Sequence, residues 1–116
     1  MAVTLNERAY DHAKRLIEAE ETVLDDRDDW GEHRPSAVQE HEFLERHGFD
    51  AYAQWYLGID DEHPEDHLSR YTLPYGDFSK AHRCGVLSAE AQAGQHQYVD
   101  IEAAVGELRG LLDRST

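Results

Sequence analysis

The chain has 116 residues, with 25 acidic and 11 basic side chains and a formal net charge of −14. That length supports one hydrophobic core, not two domains with separate cores. The charge disfavours broad contact with duplex nucleic acid, where affinity comes from cations that displace phosphate counterions, and with anionic membrane surfaces.

The acidity is uneven. Residues 1–66 hold 19 acids against 6 bases, whereas residues 67–116 hold 6 against 5, so an anionic ligand meets least repulsion in the second half. Cys84 is the single cysteine, which excludes an intrachain disulfide. No apolar run approaches the roughly 20 residues that span a bilayer. Met1–Leu5 leads directly into Asn6, Glu7 and Arg8, unlike a signal peptide. These features predict a cytoplasmic protein.

The first predicted helix runs from about Leu5 to Leu24. Thr4 and Glu7 have the form of a capping box, and Leu5, Ala9, Ala13, Leu16, Val23 and Leu24 share one side. Asp25, Asp26, Asp28 and Asp29 would crowd a helix C-terminus, where negative charge is unfavourable, so residues 25–35 read as a solvated loop anchored by Trp30. A second helix starts after Pro35, with Ser36 and Gln39 as its capping box and Gly48 as its stop. Asp50 could cap a short third helix carrying Tyr52, Trp55, Tyr56 and Leu57 and ended by Gly58. An acidic, partly irregular connection follows over 59–76.

Asp77 then reads as the cap of a helix over Phe78–Ala93, stopped by Gly94, with an apolar arc of small residues including Ala81, Cys84, Gly85 and Ala89. Asp100 caps the last helix, whose stripe is Ile101, Ala104, Val105, Leu108, Leu111 and Leu112. Tyr71-Thr72-Leu73 is too short to force a sheet. The predicted fold is all-α: a small single-domain bundle of about four main helices over residues 1–116.

Within residues 71–95, the run Pro74-Tyr75-Gly76-Asp77-Phe78, with Lys80, His82-Arg83, Gly85, Leu87, Ala89-Glu90 and Ala93-Gly94-Gln95, resembles a family of short bacterial proteins without an assigned function. The resemblance extends weakly to 51–60 and to the start of the last helix. It implies a small helical fold and supplies no activity.

Two functional readings follow. In the first, the chain is a binding or interaction module, with a protein partner or a second copy held by Arg70, Tyr75, Lys80, His82 and Arg83. The aromatics Phe49, Tyr52, Trp55, Tyr56, Tyr71, Tyr75 and Phe78 then form core and interface, and Leu87 with Ala91 an exposed apolar strip. In the second, it is a small metal protein or enzyme. His41 and Glu45 form an i, i+4 pair, with His12 and Glu20 as further ligand candidates. His82 is the candidate for acid–base catalysis, since imidazole titrates near neutrality. The sequence leaves the identity of any cofactor open. Cys84 lies on an apolar arc, where a thiol is usually inert. No phosphate-cradling glycine loop or nucleophile elbow is present.

Overall fold

The computed structural model describes residues 3–114; Met1 and Ala2, at the head of the N-terminal segment, lie outside them. The fold is α+β, which corrects the all-α expectation. The elements in chain order are β1 Val3–Leu5, α1 Glu7–Glu18, β2 Thr22–Val23, a 3-10 turn Arg27–Asp29, α2 Trp30–His33 and α3 Ala37–Ala53. They continue as β3 Tyr56–Asp60, a second 3-10 turn Leu68–Arg70, β4 Tyr71–Pro74, β5 Ala81–His82, α4 Arg83–Gln95 and α5 Val99–Arg114.

The main sheet is antiparallel in the order β1-β3-β4, with Leu5 opposite Gly58 and Gly58 opposite Thr72. Its central strand explains the wrong expectation of a helix through 55–58. Tyr56, Leu57 and Gly58 are all buried, so the strand shows no alternation and its short apolar run is ambiguous between strand and helix. Gly58 is a mid-sheet residue and not a helix stop. A Cβ there would come within 2.8 Å of Thr72 Cγ2, so glycine lets the neighbouring strand pack closely. The expected irregular connection supplies β4, and Tyr71-Thr72-Leu73 is a strand because β3 offers it a ladder.

Helix α1 is shorter than predicted. Asn6, not Thr4, caps it: its buried side chain accepts from the Ala9 amide and donates to the carbonyls of Ala53 and Tyr56 at 2.9 and 3.0 Å. The helix ends at Glu18, and Glu20 takes a left-handed conformation (φ 59°). The chain then extends into β2, which pairs in parallel with β5, Thr22 opposite Ala81 and Val23 opposite His82. The Ser36–Gln39 capping box forms as expected, and Gly48 (φ 82°) kinks α3 instead of ending it.

The core lies between the sheet and the helices. Helix α4 packs on α5, and α5 on α1. Ala9, Ala13 and Leu16 of α1 share one cluster there with Ile101, Val105, Leu108 and Leu112 of α5, as predicted, whereas Val23 lies in β2 and Leu24 is exposed. Leu87 is only 4% exposed, so the expected apolar strip with Ala91 is not formed. No helix among the described residues is long and apolar enough to cross a membrane.

Candidate metal centre

The two-residue ladder β2–β5 organises the site. Its register sets Val23 beside His82, so Asp25 arrives at the first turn of α4. Helix α4 does not start at Phe78, and Asp77 does not cap it. Asp77 instead closes its own turn, accepting the Ser79 and Lys80 amides at 2.9 and 2.7 Å, with Phe78 in a left-handed conformation (φ 69°). The helix begins at Arg83, and His82 at its N-cap position gives no side-chain cap. The missing acceptor comes from 59 residues away: Asp25 Oδ1 takes the Cys84 amide at 2.8 Å.

The other oxygen of Asp25 is the focus of the site. His33 Nδ1 and His82 Nδ1 each lie 2.7 Å from Oδ2, and Cys84 Sγ lies 2.9 Å from it. Three groups thus converge on an oxygen with two lone pairs. The side chains of Asp25 and His82 are 4% and 7% exposed and that of His33 38%, while Cys84 is fully buried. Trp30, 5% exposed, packs beside the His82 ring at a centroid distance of 6.0 Å and anchors the 25–35 segment as expected. Gly85 lets this layer close: a Cβ there would lie 2.6 Å from the Tyr75 carbonyl oxygen and 2.9 Å from Trp30 Cζ3.

His82 is held from both sides, with Nδ1 on Asp25 and Nε2 2.8 Å from Asp77 Oδ2. Burial opposes ionisation of Asp25, but the Cys84 thiol and amide and the two imidazoles outweigh it and hold its carboxyl well below the usual range. Burial likewise opposes ionisation of Asp77, yet His82 and the turn amides hold its carboxyl down. The hydrogen bond to Asp25 raises His33. Burial, then the adjacent Asp25, push the Cys84 thiol far up, the reverse of what a free nucleophilic cysteine needs.

Asp25, His33, His82 and Cys84 each offer one ligand-type atom, and these atoms all lie within 4.8 Å of one another. Among the described residues this is the one such group, and it takes only His82 from the candidates read in the sequence. His41 is exposed on α3, lining a hollow of about 260 Å³ with Glu40, Tyr52 and Ser69. Glu45 and Glu20 are also exposed. His12 is half-buried, its Nδ1 2.8 Å from Tyr75 Oη and its ring edge-on to Trp55.

The expected partner-binding set does not form one exposed face. Tyr75 is fully buried, and Lys80 is exposed. Arg83 reaches the Asp25 carbonyl at 3.4 Å and Asp113 at 3.8 Å. Arg70 lines a different hollow of about 430 Å³ with Arg8, Asp50 and Tyr71. The central aromatics form one connected cluster, with Trp55 stacked on Tyr75 and Phe78 on Phe43.

Asp25, His33 and Cys84 escaped the sequence reading because no local motif joins them. The available signals were Trp30 as an anchor for an otherwise acidic loop and the His82-Arg83-Cys84 spacing.

One thiol, two imidazoles and one carboxylate are donor types that zinc-class transition metals accept. No protein-family model, curated protein or solved structure matches this chain.

Proposed function

We propose that the protein binds one zinc-class divalent ion through Asp25, His33, His82 and Cys84, and that the ion fastens the 25–35 segment to the start of α4. The observation that carries this reading is the convergence of four ligand-type atoms within 4.8 Å, contributed by two chain segments. A tetrahedral zinc site with these ligands has ligand–ligand edges of about 3.3–3.8 Å. That lies between the 2.7 Å contacts to Asp25 Oδ2 and the 4.8 Å outer limit, so small side-chain shifts suffice.

Charge also favours it. A divalent ion with one carboxylate, one thiolate and two neutral imidazoles sums to zero, which suits a buried position. Mixed sulfur and nitrogen donors favour zinc-class ions over magnesium or calcium. Four protein ligands leave no open position for substrate, which matches a structural site. The ion would act as a cross-link between distant chain segments. A cysteine ligand suits the reducing cytoplasm. Partner docking on 70–95 has less support, because Tyr75 and His82 are buried.

The test is metal content after incubation with zinc and dialysis. One ion per chain is expected, lost in Cys84→Ser and His82→Gln and retained in His41→Ala. No bound zinc in the parent protein, or full retention in both ligand variants, would overturn the assignment.

A further inference from the structure

We infer that Asp77 is a positioning residue for this centre: its carboxylate holds the Nε2 proton of His82 and so presents Nδ1 to the ion. This rests on the metal reading above. A neutral imidazole carries one ring proton, and a metal-bound nitrogen carries none. For Nδ1 to coordinate beside Asp25, His33 and Cys84, the proton has to reside on Nε2. Asp77 Oδ2, 2.8 Å away, is the acceptor that keeps it there.

The acceptor is itself fixed. Its second oxygen takes the amides of Ser79 and Lys80, and the Asp77 amide donates to the Lys80 carbonyl at 3.1 Å. The turn is closed behind it by the Gly76–Ala81 bridge. Gly76 leaves no freedom there, since a Cβ would fall 2.5 Å from Trp55 Cζ3 and 2.6 Å from the Lys80 carbonyl. The ligand is held as well: the His82 amide donates to the Tyr75 carbonyl at 3.0 Å, and Trp30 and His33 pack tilted against its ring at centroid distances of 6.0 and 5.5 Å. Asp77, the expected helix cap, therefore serves a ligand instead of a helix.

The experiment measures zinc affinity by competition with a chromophoric chelator for the parent protein, Asp77→Asn and Asp77→Ala. Both variants should bind about 10- to 100-fold more weakly, still at one ion per chain. Asp77→Asn retains an acceptor for the turn amides, so a matching loss there separates the carboxylate's effect on His82 from collapse of the turn. Unchanged affinity in Asp77→Asn, with the parent protein binding zinc, overturns this inference and leaves the metal centre standing. Absence of binding in the parent protein overturns both. Should neither variant fold, imidazole nitrogen resonances of the zinc-loaded parent decide. Protonated Nε2 with coordinated Nδ1 is expected at His82, and the opposite tautomer overturns the inference.

Discussion

Glu40 and Asp25 each gather side-chain hydrogen bonds on one carboxylate oxygen, and their contrast is between a packing device and the proposed ligand site. Glu40 Oε2 is met by Tyr56 at 2.5 Å and Tyr52 at 3.3 Å, both from the end of α3 and the start of β3. Asp25 Oδ2 is met by two imidazoles and a thiol from α2, β5 and α4. The acceptor geometry is similar and the partner chemistry is not. Burial, together with the neighbouring Glu40 charge, pushes Tyr52 up to about 12 and Tyr56 higher still, so the phenols remain proton donors throughout the working pH range. Imidazole and thiol can exchange their protons for a metal ion. The Glu40 cluster therefore joins α3 to the sheet, while the Asp25 cluster is the one we propose to be loaded.

The largest expected effect breaks the comparison most directly. Zinc at about a thousand times its dissociation constant should raise the unfolding free energy by about 4 kcal/mol, as read from urea titrations with and without chelator. The same increment should appear in Glu40→Gln. Identical curves in the parent protein with and without zinc would make the two carboxylates equivalent structural acceptors. A smaller effect belongs to the other side. Tyr56→Phe should cost about 2 kcal/mol, because it takes a buried hydroxyl from a charged acceptor. Its zinc increment should be unaltered, and a lost increment would show that the clusters are coupled.

The least conspicuous difference is in pH dependence. The Asp25 carboxyl is held below its ordinary 3.8, so its contribution is complete above that value and is lost as pH falls through the folded-state value. His33 is held above its ordinary 6.5, so its contribution is complete below 6.5 and fades as pH rises through the folded-state value. Between 3.8 and 6.5 the metal-free protein has both. Zinc reverses the upper limb, because coordination requires deprotonated imidazole and thiol. The zinc increment should accordingly be larger at about pH 8 than at about pH 6. Thermal melts at the two pH values check this, and an increment that shrinks with pH would place the ion elsewhere.

Local periodicity carried much of the helical framework. The α5 stripe, the buried side of α1 and the Ser36–Gln39 box all depend on contacts within three or four residues, which are written into the chain. The sheet was illegible for a physical reason. β3 is buried along Tyr56–Gly58 and so lacks alternation, and β1 and β4 become strands through pairing with it.

The site divides in the same way. Composition alone established a single thiol, an acidic first half and a near-neutral second half. The order of residues along the chain also marked His82 as chemically interesting and Trp30 as an anchor. It could not show that the α4 cap would come from Asp25, because a helix N-terminus accepts any well-placed carboxylate and the chain nearby offered Asp77. Only the parallel pairing of Thr22-Val23 with Ala81-His82 chose between them. That choice brought Asp25 and His33 to His82 and Cys84 and left Asp77 behind the ring. Metal-ligand geometry depends on distances through space, and residues 59 apart acquire those only when the sheet and the helices have closed around them.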